Sequence, residues 1–250
     1  MSEPAIFKAK ALIAKAQHIV VLTGAGVSAE SGIKTFRAAE GLWEEHSIED
    51  VATPQGFRND PQLVWRFYNE RRRAADIATP NPGHIALARL ESLRLLRQKI
   101  KSSSAPFMIL TQNIDGLHQQ AGSQNVLELH GSIWLVRCTG CESLRDDYPI
   151  QLPVPPRCDE CGSLLRPHVV WFGEALEEAV LAQAEKATRG ADLFLVIGTS
   201  AVVQPAASYP FMAARRKIPV IEINLEKTPV SEIATLTLLG KSGDILPKLL

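Results

Sequence analysis

The 250-residue chain carries no excess of charge, since 27 Lys and Arg stand against 27 Asp and Glu. Nucleic acids and anionic membrane surfaces are gripped by concentrated positive charge, so a global polyanion-binding strategy is excluded and only a local patch remains open. Long apolar runs are also missing. Spanning a bilayer takes about 20 apolar residues in succession, whereas runs such as Leu193 to Ile197 (LFLVI) are strand-length. No transmembrane segment and no membrane partner are expected. The opening MSEPAIFKAKALIAKAQ intersperses lysines among short apolar pieces and lacks the unbroken core of a secretory signal, so a reducing, cytoplasmic setting is expected. Internal repeats and low-complexity stretches are absent. Cysteine is scarce, and its four copies fall between Cys138 and Cys161 as two CxxC pairs. That clustering argues for a metal rather than a disulfide framework.

What remains is ordinary globular composition, 46% apolar and 22% charged, in a length that suits one large domain with a small insertion. Ala5 to Gln17 reads as a helix, and Ile19 to Thr23 (IVVLT) as a buried strand that runs straight into GAGVSAESG. Asp60 and Pro61 open a helix that continues to about Ala78, because Asp caps orphan N–H groups and Pro at the first helical position lacks only an N–H that would go unused. Strand and helix then alternate: His84 to Lys99 helical, Phe107 to Thr111 a strand, Ala175 to Arg189 helical, Leu193 to Ile197 and Ile218 to Asn224 strands, Ile245 to Leu250 a short helix. Apolar strands separated by helices predict an α/β fold, a Rossmann-like parallel sheet with helices on both faces. The stretch from Val136 to Pro167 has no evident period and is expected to be a small metal-held module.

Three groups of residues carry chemistry. Gly24, Gly26 and Ala29 satisfy the G-x-G-x-x-G/A spacing that lets backbone N–H groups approach a pyrophosphate. The acidic residue that a hydride-transferring enzyme places on a second strand is missing, because Glu44, Glu45, Glu49 and Asp50 lie in no strand-like context. Cys138, Cys141, Cys158 and Cys161 form C-x2-C-x16-C-x2-C, the spacing of a structural zinc site whose four thiolates leave no coordination position open. Polar residues collect where strands end: Gln112, Asn113 and Asp115, then Gly198, Thr199 and Ser200, then Asn224. Ligands bind at the carboxyl ends of strands in open α/β sheets, so these ends mark a dinucleotide site. His130, between the sheet and the cysteine segment, suits either a structural role or that of a general base.

GAGVSAESGIKTFR (Gly24 to Arg37), TQNIDGLH (Thr111 to His118), LHGS (Leu129 to Ser132), the paired knuckles, VVWFGE (Val169 to Glu174), GTS (Gly198 to Ser200) and INLE (Ile223 to Glu226) together resemble the sirtuins, NAD-dependent protein lysine deacylases. The likeness runs in order along nearly the whole chain. It implies a large lobe over about 1–35, 80–135 and 168–250, and a small lobe made of the zinc module, about 136–167, and a helical insertion, about 36–79. It implies NAD and one structural Zn2+ per chain, and acyl-lysine proteins as partners; a monomer without a nucleic-acid partner is expected. Carried over residue by residue, Gly24, Ala25, Gly26, Ser28 and Glu30 would serve the phosphates, with Phe36 and Arg37 in a cofactor-binding loop. Gln112, Asn113, Ile114 and Asp115 would hold nicotinamide and its ribose, and Gly198, Thr199, Ser200, Asn224, Leu225, Glu226 and Ser242 the adenosine end. His130 matches the family's catalytic histidine, which deprotonates a ribose hydroxyl, with Asn113 beside it. Val170, Phe172 and Gly173 would pair with the substrate backbone.

Tyr68 and Arg71 match the Tyr-x-x-Arg pattern of the subclass that removes malonyl, succinyl and glutaryl groups. A helical spacing of three puts both on one face, and a buried carboxylate needs a cation that can grip it. Two other readings use the same residues. NAD-dependent ADP-ribosyl transfer would share the cofactor site, and a zinc-ribbon nucleic-acid module is disfavoured because the knuckle segment has no cationic excess.

Overall fold

The computed structural model describes residues 3–34, 42–43, 46–101, 107–146 and 150–250. Its centre is a six-stranded parallel sheet in the order Leu236–Leu239, Val220–Asn224, Leu193–Ile197, Ile19–Thr23, Phe107–Thr111, Val126–Glu128. All five residues of IVVLT and all five of LFLVI are buried, as strands covered on both faces must be. Their side chains alternate with the two-residue period of a strand. Ile19, Val21, Leu193 and Leu195 pack with Ile13 of helix Glu3–Lys15 and Leu87 of helix Pro82–Lys101. Val20, Leu22, Phe194 and Val196 pack on the opposite face with Ala184 of helix Glu178–Gly190 and Ala213 of helix Ser208–Arg215. Among the described residues no helix is long and apolar enough to cross a membrane.

The chain enters the sheet in its middle. From Ile19–Thr23 it builds outward on one side through Phe107–Thr111 and Val126–Glu128, then returns to build the other side from Leu193–Ile197. The order therefore reverses between Ile19–Thr23 and Leu193–Ile197, and crevices open at such reversals. Register keeps the relevant ends level, with Thr23 opposite both Thr111 and Ile197.

A second core lies beside the sheet. Residues 136–167, expected to lack strands, instead supply most of a three-stranded antiparallel sheet of Leu144–Asp146, Gly131–Cys138 and Leu165–Val169. Its period was hidden because the strands are partly exposed, and a register irregularity separates Ser132 from Val136. Helix Pro61–Ile77 opens as expected, with Asp60 Oδ1 accepting from Leu63 N at 2.8 Å, and buries Val64, Trp65, Phe67 and Tyr68 against Ile133, Val136, Leu165 and Trp171. Buried polar links fasten the two. Trp65 Nε1 donates to Leu165 O at 2.8 Å, Asn69 Nδ2 to Leu152 O at 2.9 Å, and Arg72 Nη1 to Ile133 O at 2.7 Å.

Candidate active site

Two strand-end turns interlock where the sheet order reverses. A Cβ on Gly24 would sit 2.7 Å from Thr199 Cβ, and one on Gly26 would sit 2.8 Å from Gly198 O. Gly198 has φ +58° and would bring a Cβ within 2.5 Å of Val27 N. Gly26 N–H donates to Gly198 O at 2.8 Å. These glycines are thus required first by the approach of one turn to the other. The consequence for chemistry is that the short helix Ala25–Ala29 begins at the crevice, with backbone rather than side chains at its mouth.

The neighbouring strand ends add polar groups to the same place. Asn113 Nδ2 donates to Gly24 O at 3.1 Å and to Ser28 Oγ at 2.9 Å, so both of its amide protons are committed and its Oδ1 remains as acceptor. Gln112 Nε2 donates to Thr199 Oγ1 at 2.9 Å, and Asn224 Nδ2 to Thr199 O at 3.1 Å. Asp115 Oδ1 accepts from Leu117 N at 2.9 Å. Burial pushes the Asp115 carboxyl above its ordinary value, against the opposing effect of its hydrogen bonds to Leu117 and Ser28. Beneath the turn, Thr23 Oγ1 bonds Thr111 Oγ1 at 2.9 Å and His118 Nε2 at 3.0 Å, and Thr111 Oγ1 accepts from Asn113 N at 3.1 Å. Burial first, then the adjacent His84, lowers the His118 pKa to about 3. His118 is therefore a neutral support, not a proton carrier near pH 7.

His130 stands between the two cores. Its Nδ1 lies 3.1 Å from Gln112 O; a carbonyl only accepts, so Nδ1 bears the proton. Burial lowers the His130 pKa, partly offset by that bond. Both effects together leave Nε2 as a lone pair in a neutral ring, the state a general base requires.

A cavity of about 520 Å³ joins these groups. From the sheet side it is lined by Gly24, Ala25, Gly26, Ser28, Gln112, Asn113, Ile114, Asp115, Gly198, Thr199, Ser200, Asn224, Leu225 and Glu226. From the other side it is lined by His130, Arg71, Val170, Phe172 and Gly173. Arg71 is 8% exposed, with its guanidinium carbon 4.6 Å from the Phe67 ring centre and Nη2 3.8 Å from Glu70 Oε2. Three expected residues are placed off the lining. Ser242 Oγ donates to Glu30 Oε1 at 2.5 Å, so these two tie the C-terminal helix Ser242–Ile245 to the segment after the glycine turn. Tyr68 is fully buried behind the wall, its hydroxyl accepting from Trp171 Nε1 at 2.9 Å. Phe36 and Arg37 lie outside the described residues.

The lining also includes Ile33, Lys34, Ala74, Ala75, Ile133, Trp171, Val203 and Gln204, which sequence reasoning did not single out. Ala74 and Ala75 stand three and four positions beyond Arg71, so the helical face argument could have found them. Trp171 sat inside a quoted motif. Ile133 and Val203 carried no signal separating them from core residues.

Cys138, Cys141, Cys158 and Cys161 bring all four Sγ atoms within 4.8 Å of one another. Cys138 and Cys161 Sγ are 3.4 Å apart, Cys141 and Cys158 Sγ 3.8 Å. Four thiolates about 2.3 Å from a tetrahedral zinc are about 3.8 Å apart, so the cluster fits that ion. The cysteines are positioned to hold a structural zinc, and none lines the cavity.

Comparison with known proteins agrees with this geometry. The sequence model of the Sir2 family matches residues 24–205. NAD-dependent protein deacylase 2 of Pyrobaculum aerophilum is 47% identical over 95% of this chain and 92% of that protein. NAD-dependent protein deacylase sirtuin-5, mitochondrial, of Canis lupus familiaris is 44% identical over 96% of this chain and 83% of that protein. Among solved structures, a complex of a Sir2 homologue with NAD superposes with TM-score 0.88 at 46% identity, covering 97% of this chain and 91% of the other. A Sir2 protein bound to a myristoylated histone peptide gives TM-score 0.78 at 36% identity, covering 99% and 95%. With the interlocked glycine turns, the histidine between two cores and the four-cysteine cluster all in one matching frame, the chain belongs to the Sir2 family.

Proposed function

We propose that the protein removes acyl groups from protein lysines at the expense of NAD, acting on malonyl, succinyl and glutaryl groups and also on acetyl, and yielding nicotinamide, free lysine and O-acyl-ADP-ribose. The observation that carries the reading is one cavity whose lining brings together the glycine turn, the strand-end amides, His130 and Arg71.

NAD is the co-substrate; when bound it supplies the anomeric carbon to which the acyl oxygen transfers. The chain supplies position and proton transfer. Gly24 to Ser28 receive the phosphates, Asn113 and Asp115 the nicotinamide end, and Gly198 to Ser200 with Asn224 to Glu226 the adenosine end. Arg71 faces the acyl carboxylate, where a guanidinium donates to both oxygens at once. The neutral acetyl group offers nothing for that cation. An amide oxygen is a weak nucleophile, so alignment and exclusion of water contribute most of the acceleration the chain provides. His130 Nε2 then takes the proton of a ribose hydroxyl. Val170 to Gly173 present backbone to the peptide, a mode that tolerates many side chains.

Side-by-side turnover of acetyl-, malonyl-, succinyl- and glutaryl-lysine peptides with NAD tests the reading. Release of free lysine and O-acyl-ADP-ribose is expected, fastest for the carboxylated groups. Transfer of ADP-ribose onto protein without loss of any acyl group would overturn it.

A further inference from the structure

The adenosine end of the cavity includes an exposed segment held at both of its ends. Leu225 and Glu226 line the cavity and, with Lys227, are exposed, so the chain on either side sets where they lie. On one side is Asn224, the last residue of strand Val220–Asn224. Its Nδ2 donates to Thr199 O at 3.1 Å, and its Oδ1 accepts from Leu225 N at 3.0 Å. On the other side is Thr228, where the short 3-10 helix Pro229–Glu232 begins.

The second anchor leads back to the same strand. Glu222 is fully buried, and three hydroxyls donate to its carboxylate: Thr228 Oγ1 to Oε1 at 2.5 Å, Ser231 Oγ to Oε2, and Thr237 Oγ1 to Oε2 at 3.2 Å. Thr228 N donates to Ser231 Oγ at 3.0 Å, and Val230 N to Thr228 Oγ1 at 3.1 Å. Each of these two hydroxyls thus gives its single proton to Glu222 while its oxygen receives a backbone N–H of the turn. Strand side chains alternate; Ile221 and Ile223 enter one core and Val220 the other, where Val230 also lies. Glu222 and Asn224 therefore share one face of the strand. That face holds both ends of the exposed segment, one through Asn224 and the other through Glu222. Burying a carboxylate costs free energy that an apolar side chain does not, so what Glu222 adds at this position is the placement of the turn.

We propose that Glu222, which does not itself line the cavity, is a positioning residue for NAD: by anchoring Thr228 and Ser231 it holds Leu225 and Glu226 in place for the adenosine half of the co-substrate. The proposal rests on the assignment of Asn224 to Glu226 to the adenosine end given above. Its effect is confined to NAD, because Thr228, Ser231 and Thr237 belong to neither the acyl nor the peptide wall.

Calorimetric titration with ADP-ribose, beside steady-state kinetics on acetyl- and succinyl-lysine peptides, tests it. Glu222→Leu weakens ADP-ribose binding about tenfold, the scale of one lost hydrogen bond, and raises KM for NAD to match, with kcat and both peptide KM values within about twofold. Glu222→Gln, whose amide oxygen still accepts, weakens binding less. Thr237→Val is the control. It removes a donor to the same carboxylate from the neighbouring strand, not from the turn, so ADP-ribose binding stays within about twofold. Equal weakening by Thr237→Val and Thr228→Val, or a fall in kcat without a rise in KM for NAD, overturns the proposal. Should Glu222→Leu fail to fold, Thr228→Val and Ser231→Ala each remove one donor from the turn, and a smaller loss confined to NAD is expected; unchanged binding in both contradicts it. The native chain separates the two claims. If it binds ADP-ribose and the variants bind as tightly, only the positioning role fails; if it binds none, the cofactor reading falls and the proposal with it.

Discussion

The two ends of the cavity are built by different means. At the cofactor end the contacts are backbone on backbone: Gly24, Gly26 and Gly198 leave no room for a single added carbon, and three strand ends stand level through sheet register. At the acyl end the contacts are side chains from distant parts of the chain, Trp65 on Leu165, Asn69 on Leu152, Trp171 on Tyr68. The first construction suits a ligand that never varies. The second can be retuned one side chain at a time, and so is where selectivity between acyl groups belongs. Changes at the cofactor end should scale all acyl substrates together, whereas changes at the acyl end should alter their ratio.

The largest test removes the support of the acyl end. Cys138 and Cys158 belong to the same buried cluster as Trp65, Tyr68 and Trp171, and structural zinc typically contributes roughly 10–16 kcal/mol of apparent binding energy to its fold. Cys158→Ser should abolish stoichiometric zinc, lower the thermal midpoint and eliminate activity on every acyl group; metal analysis with thermal unfolding checks it. A zinc-free variant with full activity would detach the cluster from the site.

Next comes the group between the two ends. His130→Tyr should lower turnover on all acyl peptides by at least about 10²-fold, the range of general-base contributions, with zinc content and thermal midpoint unchanged. A smaller effect is expected from Gly26→Ala. Its Cβ would meet Gly198 backbone, and displacing the turn should raise KM for NAD about tenfold or more, by roughly 1–3 kcal/mol of overpacking, while the succinyl-to-acetyl ratio stays constant. A shifted ratio would break the division between the ends. The mildest test is pH. Burial lowers the His130 pKa; with the neutral ring as the proposed general base, activity should hold as pH falls through 6.5 and decline only below it. An acid limb of kcat/KM centred above that value would contradict the assignment.

What could be read in the sequence follows the same division. Strands Ile19–Thr23, Phe107–Thr111 and Leu193–Ile197 were legible to the residue because burial on both faces, complete in the first and third and relaxed only at Met108 in the second, leaves a nearly unbroken apolar run. The polar ends of those strands followed at once. Edge strands Val126–Glu128 and Leu236–Leu239 went unseen, being short and partly exposed. The antiparallel sheet around the cysteines was missed although its ligand spacing was plain, because spacing reports chemistry and says nothing of strands that alternate poorly. The bond from Trp171 to Tyr68 could not be read at all. It joins residues 103 positions apart, and nothing local in either segment points to the other.

The most direct measurement is the ratio of kcat/KM for succinyl- over acetyl-lysine in the same peptide, for the native chain and for Arg71→Met. A buried charge-assisted pair is worth about 2–3 kcal/mol, so the ratio should fall roughly 30- to 150-fold, almost entirely through the succinyl substrate. An unchanged ratio would contradict the claim that the acyl end selects its substrate through this one guanidinium.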